Sequence, residues 1–160
     1  MSTTLHLAKQ NFKFSAAHFL IFDEKHAEKL HGHNYQVKVD IKAPADDTQH
    51  ADGYFMDFNV FKKYIKAALD RWDEIVLLPE KHPDMKFKST EKSLEVTFRD
   101  RFYVFPLSEV ILLPVTNTSV ENLSRLLAED FYREFKKYGV QSITVTVEET
   151  TAQGASTTIP

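Results

Sequence analysis

Hydrophobic and polar positions alternate with a period of two along much of the N-terminal quarter of the chain. Over residues 5–18 the pattern predicts a strand, with Phe12, Phe14, Ala16 and His18 on one face and Lys13 and Ser15 on the other. Residues 33–42 alternate more cleanly. His33, Tyr35, Val37, Val39 and Ile41 point one way, and Asn34, Gln36, Lys38, Asp40 and Lys42 the other. Pro44 and the polar run as far as Gly53 predict a loop. The period then changes. Across 57–72, Phe58, Phe61, Ile65, Leu69 and Trp72 recur at helical spacing, with Lys62, Lys63, Lys66 and Asp70 outside.

A loop holding Pro79 and Pro83 leads to a predicted hairpin over 94–105. There Leu94, Val96 and Phe98 alternate, Asp100–Arg101 turns, and Phe102 and Val104 return. Thr118 and Glu121 stand at capping-box spacing before a second helix. Its apolar stripe is Val120, Leu123, Leu127, Phe131 and Phe135, and Gly139 is placed to end it. Residues 142–149 close the series as a strand, and a small polar tail follows from Thr150 to Pro160. These elements predict an α+β fold: an antiparallel sheet with two helices on one face, plus a hairpin.

Composition narrows the class. The 160 residues suit one domain over 1–160, and 42% hydrophobic with 27% charged residues is an ordinary globular balance. Lys plus Arg number 20 against 23 Asp plus Glu, which argues against a nucleic-acid partner, whose phosphates demand a basic face. No apolar run approaches a membrane span, the longest being about Val110 to Val115, and the first ten residues lack the pattern of a signal peptide. A cytoplasmic protein with no membrane partner is expected. Cysteine is absent, which removes disulfides, thiolate ligands and cysteine nucleophiles together.

The sharpest chemical feature is His31-Gly32-His33, with His18 thirteen residues before it. On a strand, residues two apart project to the same side, so His31 and His33 can reach one ion. His33 shares its face with Val37 and Val39, and His18 shares its face with Phe12 and Phe14. Three imidazoles on a buried face are costly unless something satisfies them, and Zn²⁺ does so. Three neutral ligands leave the ion positions open for substrate, the catalytic rather than the structural pattern.

Phe14-Ser15-Ala16-Ala17-His18, Leu30-His31-Gly32-His33-Asn34-Tyr35, Asp52-Gly53-Tyr54-Phe55-Met56-Asp57-Phe58 and Val147-Glu148-Glu149-Thr150 resemble segments of the 6-pyruvoyl-tetrahydropterin synthase / 6-carboxy-tetrahydropterin synthase family. They fall in order over nearly the whole chain, with about 80–115 as an apparent inserted hairpin. The resemblance implies a tunnelling fold (T-fold), an antiparallel four-stranded sheet with two helices on one face plus an inserted β-hairpin, assembled as a homo-oligomer, trimers stacked into hexamers, with active sites between subunits. It implies zinc on His18, His31 and His33, a pterin-anchoring carboxylate at Glu149, and Ser119 and Glu121 near the pterin. The substrate it implies is 7,8-dihydroneopterin triphosphate or a close dihydropterin, on the way to tetrahydropterin, folate or queuosine precursors.

The chain departs from the family at the base. Members that make the pyruvoyl or carboxy product carry a Cys before His-x-His, and that position holds Ala27. Their Asp-His pair falls on Asp73-Glu74, so its histidine is missing as well. A branch with Glu in place of the Cys carries a similar Glu-Lys-Leu-His-Gly-His-Asn-Tyr, here beginning at Glu28. That branch is associated with retro-aldol cleavage of the side chain to 6-hydroxymethyl-dihydropterin. Glu28 and Asp73 are therefore the candidate catalytic residues, with Glu74 and His26 as substitutes. Each also has a plain reading as a surface charge, Glu121 as the capping-box acid, Ser119 as a first-turn residue, and Glu149 as a strand-end charge. His6, His50 and His82 read as surface residues. Two functions remain: a zinc-dependent pterin lyase, either cleaving the side chain to 6-hydroxymethyl-dihydropterin or forming the pyruvoyl or carboxy product with substitute bases, or a non-catalytic zinc-containing pterin-binding protein that has lost its base.

Overall fold

The computed structural model describes residues 2–44 and 53–160. His50 and Asp52, with most of the loop expected between Pro44 and Gly53, lie outside the described residues. Ten strands and two helices run in the order β1 (Thr4–Leu7), β2 (Lys13–His18), β3 (His31–Lys42), α1 (Phe58–Asp70), β4 (Ile75–Pro79), β5 (Met85–Ser89), β6 (Ser93–Phe98), β7 (Arg101–Pro106), β8 (Val110–Leu113), α2 (Val120–Phe135), β9 (Ser142–Thr150) and β10 (Gln153–Ile159). Single 3-10 turns precede β8 and follow α2.

The principal sheet has seven strands in the order β10-β9-β3-β2-β4-β8, with β1 also paired to β3. It is larger than the four strands expected, and it is mixed. β4 runs parallel to β2 and to β8, while the other pairings are antiparallel. Two of the missed strands, β4 and β8, read Ile-Val-Leu-Leu-Pro and Val-Ile-Leu-Leu. A parallel strand covered on both faces shows a continuous apolar run, so alternation cannot reveal it. Pro79, expected in a loop, ends β4.

Other boundaries also shift. The strand expected over 5–18 is two, because the polar stretch from Ala8 to Asn11 leaves the ladder and returns through a bond from the Phe12 amide to the Lys9 carbonyl (3.0 Å). The hairpin gains a third strand, β5, and turns at Arg99–Asp100 rather than Asp100–Arg101, with Arg99 left-handed at φ 55°. Thr118 does not cap α2. Ser119 does, its Oγ accepting from the Asn122 amide, while Thr118 is buried one residue outside. The tail is not loose: β10 pairs with β9 along its length.

Both helices cover the inward face of the sheet. Asp57 caps α1 by accepting from the Asn59 amide (2.9 Å). Phe61, Ile65, Ala68 and Leu69 of α1, and Leu123, Leu127, Phe131 and Phe135 of α2, join Val37, Val39, Ile41, Val145 and Val147 in one core. Phe58, counted in the α1 stripe, is 42% exposed. A second cluster forms where Phe19 and Ile21 meet Leu78 and the Leu94, Val96 and Phe98 face of the three-stranded sheet.

Gly154 sits where β10 shifts register against β9. A Cβ there would lie 2.1 Å from the Val147 carbonyl oxygen, backbone that cannot step aside. Gly154→Ala is expected to cost about 1–3 kcal/mol, the usual penalty of overpacking. It should be read as a lower urea midpoint with unchanged slope.

Candidate metal centre

Strand pairing assembles the site. His31 and His33 leave the same side of β3, and the antiparallel β2 sets His18 directly across from His31. One ring nitrogen from each lies within 4.8 Å of the others, and the Nε2 atoms of His31 and His33 are 2.9 Å apart. His18 is 1% exposed, at the floor of the group; the other two are partly exposed above it.

The hydrogen bonds determine which nitrogens are free. His18 Nδ1 donates to the Thr118 carbonyl (2.8 Å), and His31 Nδ1 donates to the Lys29 carbonyl (2.8 Å). A carbonyl can only accept, so both neutral rings carry the proton on Nδ1 and leave Nε2 as an acceptor, which on His31 meets His33 Nε2 at 2.9 Å. His18 Nε2 is buried with no partner. Burial, reinforced by the neighbouring His31 and His33, holds the His18 pKa below the ordinary imidazole value, against the pull of the Thr118 carbonyl. Converging ring nitrogens with a buried, unsatisfied acceptor fit a borderline-soft cation, and an all-imidazole donor set suits zinc.

Two carboxylates flank the group. Glu28 Oε2 lies 3.7 Å from His31 Nε2 and accepts from the Leu20 amide (2.9 Å). Glu149 Oε2 lies 3.8 Å from His33 Nε2, at the end of β9. Beneath them Tyr35 is fully buried, stacked on Phe14 with centroids 4.7 Å apart, and its hydroxyl has no partner. Burial above all, then the charges of Glu149 and Glu28, pushes that phenol's pKa up. The sequence put Tyr35 on the histidine face without marking its hydroxyl. It gave no sign of the Thr118 carbonyl, since main-chain acceptors leave no residue-type signal.

The remaining candidates are spread more widely. Ser119 spends its hydroxyl on the α2 cap, one residue past the Thr118 carbonyl that holds His18. Glu121 is exposed in the first turn of α2. Asp73 accepts from the Ser15 amide (2.7 Å), and the Glu74 amide donates to the Ser15 carbonyl (2.7 Å). Glu74 borders a cleft of about 330 Å³ lined also by Ser15, Ala17, Gly32, Asn34 and His33, one of the three histidines. Neither Asp73 nor Glu74 makes a contact with the three ring nitrogens among the described interactions. His26 lies on an exposed turn, bonded to Asp23. His6 pairs with Asp40 at the surface, whereas His82 is half-buried against Phe98.

The family model described as 6-pyruvoyl tetrahydropterin synthase matches residues 7–159. The chain belongs to the 6-pyruvoyl tetrahydropterin synthase family. A curated relative from Methanocaldococcus jannaschii, provisionally named a 6-carboxy-5,6,7,8-tetrahydropterin synthase, is 30% identical over 147 residues, 89% of this chain and 87% of its own. The Plasmodium vivax 6-pyruvoyl tetrahydropterin synthase structure superposes with a TM-score of 0.88 at 25% identity, covering 99% of this chain and 98% of that one. A variant of the same Plasmodium vivax protein, described as a catalytic-residue mutant with glutamate changed to alanine, superposes at 0.89, also 25% identical and covering 99% and 98%. The match confirms the T-fold and places the chain among pterin-metabolising lyases, the reach of family membership.

Metal analysis of purified protein is expected to give about one zinc per chain, held by ring nitrogens at about 2.0–2.1 Å. His31→Ala is expected to lose it, and full occupancy in that variant would remove His31 from the ligand set.

Proposed function

We propose that the chain is a zinc-dependent lyase that cleaves the side chain of 7,8-dihydroneopterin triphosphate, or a close dihydropterin, to 6-hydroxymethyl-dihydropterin. The observation that carries this reading is the position of Glu28, a carboxylate 3.7 Å from His31 Nε2 in a chain without cysteine. A glutamate described as catalytic in the similar Plasmodium vivax enzyme supports it. His18, His31 and His33 are the metal ligands. Zinc held there would supply positive charge that makes the side-chain hydroxyls of the substrate more acidic.

Glu28 takes the proton from the hydroxyl on the second side-chain carbon. The bond between the first and second carbons breaks, its electron pair passes into the pterin ring, and a two-carbon aldehyde bearing the triphosphate leaves. Glu28 then returns the proton to the first carbon, so no net proton is consumed. One carboxylate suffices for both transfers, and this is why neither a cysteine nor a paired histidine is required. Glu149 accepts two hydrogen bonds from the N–H edge of the pterin, the pairing a carboxylate makes best. Ser119 and Glu121 lie close to the pterin at the start of α2.

The Asp73 carboxylate is taken up by the Ser15 amide, and among the described interactions it makes no contact with the three ring nitrogens. A part for Asp73 in the same chemistry is assigned to a site shared with a second copy of the chain. Both ends of the large sheet, β10 and β8, are unpaired on their outer sides among the described residues. Open edges invite pairing, and closure into a multi-subunit barrel removes them. Light scattering at micromolar concentration is expected to show a trimer or hexamer; a monomer would count against a shared site.

Product analysis after incubating zinc-loaded protein with dihydroneopterin triphosphate tests the function directly. Glu28→Gln is expected to keep zinc and pterin binding and lose on the order of 10²–10⁴ in turnover. Glu149→Gln should instead weaken pterin binding, because an amide offers one acceptor where the pterin edge needs two. A parent protein that binds dihydropterins but converts none would favour a pterin-binding protein, the reading that the missing Cys and paired His support.

A further inference from the structure

The segment that carries Glu28 spans residues 19–30 between β2 and β3, and it is tied within itself. The Glu28 amide donates to the Leu20 carbonyl (2.8 Å), and the Leu20 amide donates to Glu28 Oε2 (2.9 Å). Ile21 and Ala27 form an isolated antiparallel bridge. At the tip, the Asp23 carboxylate accepts from the Lys25 and His26 amides.

The same segment is gripped from outside by the three-stranded sheet. Arg101, the first residue of β7, donates from Nη1 to the Glu28 carbonyl (2.5 Å) and from Nη2 to the Ala27 carbonyl (3.2 Å). Its guanidinium also lies over the rings of Phe19 (5.7 Å) and Phe98 (5.6 Å). Arg99 donates to the Asp23 carbonyl (2.6 Å) and is itself held by Asp84 (2.8 Å). Phe19, at the root of the segment, packs on Phe98 and Tyr103.

The two carbonyls that Arg101 holds belong to the peptide planes on either side of the Glu28 Cα. Fixing both planes fixes the two backbone torsions of Glu28 and so the direction in which its side chain leaves. A guanidinium can do this because its donors form a rigid planar fork; an ammonium is a point charge. The Leu20 amide then sets the carboxylate itself. We propose that Arg101 is the positioning residue of the catalytic carboxylate, and that the three-stranded sheet serves to hold the Glu28 segment against the metal site. This rests on the reading of Glu28 as acid and base.

The test uses full-length zinc-loaded protein with dihydroneopterin triphosphate. Arg101→Met keeps an apolar stem over Phe19 and Phe98 while removing the donors, and Arg101→Lys keeps the charge without the fork. Arg101→Met is expected to lower kcat about 10–10²-fold, the effect of a misplacement near 1 Å, with KM and zinc content nearly unchanged. In a Glu28→Gln background it should cause no further loss, since it acts through that carboxylate. Arg101→Lys should recover part of the rate. Hydrogen–deuterium exchange at the Leu20 and Glu28 amides should quicken in Arg101→Met, while the α2 amides keep their protection.

Unchanged exchange at those two amides overturns the clamp whatever the activity. A parent-like kcat for Arg101→Met beside a dead Glu28→Gln overturns its catalytic importance. Losses that multiply in the double variant show that Arg101 acts elsewhere than through Glu28. A fully active Glu28→Gln removes the acid–base reading and the positioning role with it, and quickened exchange in Arg101→Met would then show a purely structural anchor.

Discussion

Three imidazole nitrogens meet in a small, partly buried space, and much of the architecture serves to hold them there. The deepest, on His18, has no hydrogen-bond partner and no route to water. Such an acceptor is unfavourable in a core unless a cation completes it. The arrangement needs β2 and β3 in a fixed register, because a one-residue slip would turn every histidine to the opposite face. That register is held on both sides: β3 pairs with β1 and β2 along one edge and with β9 along the other. It also needs the start of α2 at a set height, since the Thr118 carbonyl orients His18.

The last point joins distant parts of the chain. Thr118 immediately precedes the Ser119 cap, and Asn117 bonds both the amide and the carbonyl of Ile21 in the Glu28 segment. The entry to α2 thus touches both the metal ligand at the floor and the carboxylate-bearing loop at the rim. The helix stripe of Leu123, Leu127, Phe131 and Phe135 fixes α2 on the sheet, so core packing is transmitted to the site through main-chain groups. It is an economical way to orient a ligand, because a carbonyl has no side-chain freedom to lose.

What the sequence made legible follows from which signals are periodic. The alternation from Tyr35 to Ile41 and the stripes of both helices are one-sided patterns, and they appear where expected. β4 and β8 are apolar without a period, so nothing in their residues separates a buried strand from a loop between prolines. β10 fails for the opposite reason: Ser156, Thr157 and Thr158 read as a polar tail, though β-branched hydroxyl residues suit an edge strand. At the site, the histidines were legible because two-residue spacing on a strand is itself a geometric statement. Arg101 was not, since its target is main chain far away in sequence. Thr118 misled because its spacing to Glu121 imitates a capping box while the helix begins one residue later.

The pairing of β9 with β10 carries one more consequence. Their outward hydroxyls meet in pairs, Thr144 with Thr158 and Thr146 with Ser156, both within 2.8 Å. A ladder of near-identical rungs cannot tell one alignment from another two residues away. The narrow place beside the Val147 carbonyl can, because a two-residue slip would bring Ala152 or Ser156 there in place of Gly154, each with a Cβ that has no room. Gly154 thus fixes the alignment of the last strand. The Ser124–Thr157 bond to α2 then closes on the correct alignment alone.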